Sequence, residues 1–363
     1  MSSIRRSRKA LGLLAVCLCC AIPCLAATAA GGEAAPPAGP AAVEAPNGKF
    51  ALSGGIYLFE YLPQLTGAKE KFEIYAFILN VDAVTGDGRY GLHVQTRARD
   101  SKLRSFFLSN VWFQEAYAWA KTPVGDVHAG KFYRKVGILW DDSFFGNVQY
   151  FNGLKLNPDY GAELVGTRPL GGPLAVDYSV QYFTNNDHVA GSLPGRDVES
   201  DPNANLRRTV TARLVPTFKL GPGRTLAVGV SGLSGRIDRT VGPSFDLRQA
   251  AGDMTLTWGP TISYVELLRQ RGERDDAAHP LSRPGYRDGT YLLAGARWQV
   301  LSWLNARLNY SQVDYQGQKA REVELVPGLV FGLRPNLNLI AEYDSWRTEP
   351  NQGGPSQYID KSW

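Results

Sequence analysis

The stretch ILWDDSFFGNVQYFNGLKLNPDY, Ile138 to Tyr160, decides how the rest of the chain is read. It is rich in Gly, Asn and Asp, yet it carries Trp140, Phe144, Phe145, Tyr150 and Phe151, which a solvated loop does not expose. Such a loop folds back onto something. Around it lie short runs that alternate apolar and polar residues between turn residues, with no amphipathic helix of any length. The runs are expected to close into a membrane β-barrel with this loop folded into its lumen. The alternative is a partly buried surface loop of a soluble β protein.

Working outward, fifteen candidate strands fall near 49–63, 70–84, 90–100, 111–122, 125–136, 161–169, 175–185, 206–220, 224–236, 246–258, 261–271, 290–301, 304–315, 321–333 and 337–347. The connections between them alternate in kind. Turn-like ones are Thr85 to Gly88, Thr122 to Gly125, Leu170 to Pro173, Gly221 to Gly223, Gly259-Pro260, Ser302-Trp303 and Arg334 to Asn336. The other class includes most of the long polar ones: Asp100 to Asn110, Ile138 to Tyr160, Asn186 to Asn205, Gly272 to Gly289 and Glu349 to Gln357. That parity is the pattern of an outer-membrane barrel, with turns on the periplasmic side and loops outside. A soluble sandwich has little reason to keep it along the whole chain.

The strands carry two unlike faces. Val176, Tyr178, Val180 and Tyr182 oppose Asp177, Ser179 and Gln181; Leu304, Ala306, Leu308 and Tyr310 oppose Asn305, Arg307, Asn309 and Ser311. In 337–344 the apolar face of Leu337, Leu339, Ala341 and Tyr343 opposes Asn338, Glu342 and Asp344, with Ile340 the exception. Period two alone proves only a half-buried sheet. The aromatics Tyr57, Tyr75, Trp119, Tyr178, Trp258, Trp303, Tyr310 and Tyr343 lie at or near strand ends on faces read as apolar, as membrane-girdle residues do. A soluble barrel has to bury one face, and burying the charged one needs close ion pairing.

The N-terminus has Arg5, Arg6, Arg8 and Lys9, then an apolar run from Ala10 to about Leu25 and small residues, the pattern of a signal peptide cut near Ala26 or Ala29. All four cysteines (Cys17, Cys19, Cys20 and Cys24) lie in it, so the mature chain has no disulfide framework or thiolate metal site. Val16 before Cys17 and Pro23 before Cys24 argue against lipidation. The chain's 39 basic residues become 35 without those four, against 34 acidic ones, so nucleic-acid binding has no electrostatic support. Residues 1–29 are therefore expected to be a signal peptide, 30–48 a Gly, Ala and Pro leader, and 49–363 the barrel. No later apolar run reaches the length of a transmembrane helix.

The leader, the parity and the charged inner face resemble the Gram-negative outer-membrane porins, general and phosphate-selective. Gly130 to Gly137, GKFYRKVG, followed by a long loop, is similar in position to the strand before the porin constriction loop. The resemblance implies an all-β transmembrane antiparallel barrel of about sixteen strands in the outer membrane, with contacts to lipid and lipopolysaccharide and assembly as a homotrimer. It implies passive diffusion of small polar or anionic solutes past an inward loop. One departure is plain: porins end in a full strand with a terminal aromatic, whereas Ser356 to Trp363 is short for a span of about 9–11 residues. Either the chain is incomplete there, or the barrel closes with a short seam.

Within that reading Arg97, Arg99, Arg207, Arg213, Arg297 and Arg307 are assigned to the inner face, where cationic rings favour anions. The alternative is that they pair with Asp82, Glu322, Glu324, Glu342 and Asp344 as wall salt bridges. In the loop, Asp141, Asp142 and Asp159 with Lys155 are candidates for the acidic half of a transverse field, with Phe144, Phe145 and Tyr150 packing on the wall; Asp and Asn also simply bend loops. The histidines His93, His128, His188 and His279 show no metal-ligand spacing, and no nucleophile motif is present. No catalytic residue, metal or cofactor is expected. The reading from a different class is a closed structural or adhesion barrel in which the loop is a plug.

Overall fold

The computed structural model describes residues 11–22, 41–45, 48–63, 71–98, 111–138, 158–185, 204–239, 242–273, 286–316, 320–335 and 337–349. Its described residues form strands and connections with no helix beyond a single 3-10 position. After β1 (Leu11–Ile22) and β2 (Ala41–Ala45) come β3 (Gly48–Pro63), β4 (Lys71–Thr85), β5 (Tyr90–Ala98), β6 (Val111–Thr122), β7 (Gly125–Tyr133) and β8 (Pro158–Gly171). There follow β9 (Leu174–Asn185), β10 (Ala204–Gly221), β11 (Arg224–Arg239), β12 (Phe245–Trp258) and β13 (Thr261–Arg271). The last four are β14 (Gly289–Leu301), β15 (Leu304–Tyr315), β16 (Ala320–Arg334) and β17 (Leu337–Glu349).

From β3 to β17 every strand pairs antiparallel with the next, a fifteen-stranded meander. Each of the fifteen expected strands is present, and the short and long connections alternate throughout. Turn chemistry fits: in the β4–β5 turn the Thr85 hydroxyl donates to Asp87 and holds that carboxyl below its usual range, and Gly88 sits at φ 66°. The two edges of the meander meet across β1, which pairs with β17 from Leu11 opposite Trp346 to Cys20 opposite Leu337, and with β3 from Leu13 opposite Pro63 to Ile22 opposite Gly54. β2 extends the same edge of β3. The run expected to be a signal peptide thus holds the seam between β17 and β3. Residues 350–363, with the expected incomplete strand, lie outside the described residues.

Burial is inverted relative to a soluble core. Val180, Val210, Leu214, Val230, Leu308 and Leu329 are exposed on one face, while Gln181, Thr211, Glu266, Gln270, Glu324 and Glu342 are at most 1 % exposed on the other. Water does not stabilise such a surface, and lipid does. Exposed Trp258, Trp298 and Trp303 cluster at the turn ends of β12, β14 and β15, a girdle at one membrane face. Trp119 departs from expectation: it packs over Gly91 and shares the inner face with Tyr117, since alternation along β6 sets both on the side of His93 and His128.

The inversion sets a depth-dependent cost. Leu214→Arg, near the middle of β10, should lower refolding stability in lipid vesicles by about 2–4 kcal/mol, while Leu220→Arg at its turn end should cost about 0–1 kcal/mol. Equal costs in urea titrations would contradict the lipid-facing placement.

Candidate functional site

Inside the barrel the two halves of the wall differ. On β10 to β15, toward the loop side, Leu206, Leu233, Ile237, Leu247, Leu268, Tyr291, Val313 and Tyr315 form one apolar cluster with Tyr286, and Ile237, Leu247, Leu268, Tyr291 and Val313 are fully buried. An open aqueous lumen does not bury an inner face in this way, so that half of the wall is covered. Part of the cover is Val136, 4 % exposed within the same cluster.

Val136 gets there because β7 ends at Tyr133, three residues earlier than the run 125–136 suggested. Gln181 on β9 catches the departing chain twice, accepting from the Lys135 backbone N–H at 2.7 Å and donating to the Tyr133 carbonyl at 2.8 Å. The Gly137 N–H then donates to Ser231 Oγ on β11 at 2.8 Å, and the Ile138 N–H to the Glu266 carboxylate on β13. Residues 134–138 therefore run across the inner face from β9 to β13. Gly137 has φ 63°, and a Cβ there meets the Glu266 carboxylate, so glycine is required both by conformation and by space. Of the expected loop residues, Asp141, Asp142, Phe144, Phe145, Tyr150 and Lys155 lie outside the described residues. Asp159 belongs to β8 instead of the loop, because β8 begins at Pro158; it pairs opposite Phe132 and meets Arg134 at 3.2 Å, with both side chains 3 % exposed.

The facing half of the wall is polar and centred on Glu163. It accepts from His128 Nδ1 at 2.7 Å, Lys135 Nζ at 2.9 Å and Gln181 Nε2 at 2.8 Å. Tyr117 stacks on His128 with centroids 4.7 Å apart and tilts against His93, whose Nδ1 is 2.7 Å from Asp82. Lys135 thus ties the crossing segment to the polar wall by its side chain and to β9 by its backbone. Among the described residues no group of three or more His, Cys, Asp or Glu has the arrangement of a metal site. Glu163, Ser231 and Glu266 were not singled out in the sequence, and Gln181 appeared there only as a polar-face residue. Their only local signal is an inward position on an alternating strand.

Of the six arginines assigned inward, Arg213 and Arg307 face carboxylates. Arg213 on β10 forms a bidentate pair with Asp253 on β12 at 2.6 and 2.8 Å, reaching over Gly229, where any side chain would collide with that carboxylate. Arg307 pairs with Glu342 at 2.5 Å and lies directly opposite Arg297 in the β14–β15 ladder. Arg97 donates to Gln95 at 3.0 Å. Arg207 does not share the face of Thr209 and Thr211. A bulge at Arg208, φ 48°, shifts the phase, so Leu206 points inward and Arg207 lies exposed beside Asp238 at 3.5 Å. Arg99 lies outside the described residues.

Below the crossing segment, between it and the turns, remains a cavity of about 680 Å³ bounded by β7 to β10. No family model matches the chain and no curated protein is similar to it in sequence. Among solved structures, the outer membrane channel DcaP of Acinetobacter baumannii superposes with a TM-score of 0.51 at 9% identity, over 93% of this chain and 96% of that one. The fold is that of an outer-membrane β-barrel. OmpT, an outer membrane protein of Vibrio cholerae, in a loop-deletion form (TM-score 0.47, 12% identity, 93% and 98% covered) and OpdL of Pseudomonas aeruginosa (0.44, 11%, 94% and 98%) are further neighbours. At these identities the likeness concerns the fold.

The crossing segment of this barrel depends on Glu266 and Gly137. Glu266→Ala and Gly137→Val should each release it, and tryptic cleavage after Lys135 in the refolded barrel should accelerate severalfold, as removal of a buried hydrogen-bond acceptor worth about 1–3 kcal/mol implies. Unchanged cleavage kinetics would show that these contacts do not hold the segment.

Proposed function

We propose that the chain is a passive diffusion channel of the Gram-negative outer membrane for small polar solutes, narrowed from one side by the segment that follows β7. One observation carries the reading: residues 134–138 cross the inner face onto the apolar cluster yet leave a cavity along β7 to β10. The path is then off-centre, past Tyr117, His128, Lys135 and Glu163 instead of down the barrel axis. Asp141, Asp142 and the loop aromatics belong to this proposal as the continuation of the narrowing segment. Export by a cleaved signal peptide, contact with lipopolysaccharide and assembly as a homotrimer belong to it through the resemblance alone.

Preference for anions is not part of it. Arg213 and Arg307 face carboxylates at ion-pair distance, so their fields in the lumen are largely cancelled. The second reading, a closed structural barrel, has the apolar cluster in its favour, since a dry half-lumen is what a plug produces.

Planar-bilayer recording separates the two. Discrete ohmic steps are expected for the purified barrel, and deletion of residues 142–152 should raise their size while leaving the heat resistance of the barrel intact, because ladder hydrogen bonds hold the wall. A silent barrel that inserts correctly would favour the plug.

A further inference from the structure

The cavity between the crossing segment and the turns has an unbalanced set of charges. Its lining cations Lys135 and Arg213 are each matched by a carboxylate, Glu163 at 2.9 Å and Asp253 at 2.6 Å. Arg168, also in the lining, donates from a terminal nitrogen to the Pro123 carbonyl. Its lining acids are not matched. Asp126 on β7 meets no cation among the described residues, and Asp177 on β9 receives only the Thr167 hydroxyl. Beside Asp177 on the same face, Ser179 is 5 % exposed, and its buried hydroxyl has no hydrogen-bond partner although it lines the cavity. A buried hydroxyl left without a partner is costly, and a site that holds one open is prepared for a donor that comes and goes.

We propose that this cavity is a station for small organic solutes carrying a primary ammonium group, an assignment that rests on the channel reading above. An ammonium group brings three donors. Asp177 and Ser179, two residues apart on one strand face and hence about 7 Å from each other, accept from it, while Asp126 supplies the second negative charge. A bare metal ion fits poorly. Asp126 and Asp177 stand two strands apart, about 10 Å, whereas carboxylates that share a calcium ion come within about 2.6 Å of it. The volume is in the roughly 300–1,000 Å³ range of small-molecule sites. Lys135 and Arg213 are in matched pairs, and Arg168, held by the Pro123 carbonyl, leaves two lining acids against one uncancelled cation.

The test uses the purified full-length barrel under a gradient of propylammonium propionate, two ions of similar size and opposite sign. The reversal potential should show that the ammonium ion permeates better. Replacing both acids, Asp126→Asn with Asp177→Asn, should reduce that permeability ratio roughly tenfold. Ser179→Ala should reduce it less, and Arg207→Gln, away from the cavity, should leave it unchanged. A wild-type barrel that favours propionate or neither ion, or a double variant that keeps the ratio, overturns the assignment. If no channel steps occur at all, the channel reading fails and the site is decided separately by saturation-transfer NMR of propylammonium on the detergent-solubilised barrel. Binding lost in the double variant then supports the station; absent binding, or binding that persists in that variant, overturns it.

Discussion

A backbone amide in hydrocarbon has no water to bond with, and every other feature of this molecule follows from that constraint. A sheet satisfies it only when no edge is left free to lipid, so the fifteen-stranded meander must be joined from β17 back to β3. In the full-length chain the join is made by Leu11–Ile22, an uncharged apolar run in antiparallel register with both edges. The same composition serves two demands, because a run fit for export is also tolerable against lipid. A strand antiparallel to both neighbours also makes the number around the ring even, as single-chain bacterial barrels require.

Closing the sheet inverts the usual distribution of polarity, and the interior then has to solve a problem a soluble core avoids. Charged side chains crowd a space only partly filled by water. Along β10 to β17 they are paired across one intervening strand or directly, as Arg213 with Asp253 and Arg307 with Glu342. Around the apolar cluster the solution is different: the inner face is made of Leu, Ile, Val and Tyr and covered by the chain itself. The crossing segment is consequently held by backbone N–H groups donating to wall side chains at Gln181, Ser231 and Glu266, because an irregular backbone at that depth needs acceptors as much as a strand does.

The strands were legible because period-two alternation and turn glycines are local signals, and all fifteen survive with ends moved by a few residues. Faces were less secure. One bulge at Arg208 was enough to turn Arg207 to the outside, and nothing in LRRTVTAR announces a bulge. Trp119 was misread because a tryptophan near a strand end suits a girdle and a lumen equally, and only its partner Gly91 on the neighbouring strand decides. Asp159 was read as a loop acid because the Gly-, Asn- and Asp-rich run continues to Tyr160, yet β8 already opens at Pro158, a residue tolerated as the first of a strand. Glu163 and Glu266 were invisible as a class. Their roles come from contacts with residues 28 and 128 positions away, separations at which no sequence pattern carries information.

The matched arginines also change how charge selectivity should be located. A charge cancelled by a partner at under 3 Å leaves only a dipole in the lumen, whose field falls faster with distance than that of a single charge, and salt screens what remains over about 10 Å. Counting basic residues on an inner face therefore overstates their effect on passing ions. What counts is the remainder after pairing, and in the cavity along β7 to β10 the acids Asp126 and Asp177 outnumber the single cation, Arg168, that is held by a carbonyl and not by a carboxylate. The crossing segment sharpens this by displacing water from the apolar half of the lumen. In the channel proposed above it would hold solutes toward the wall where the uncancelled charges stand, so the contacts of Glu266 and Ser231 would set which charges a solute meets.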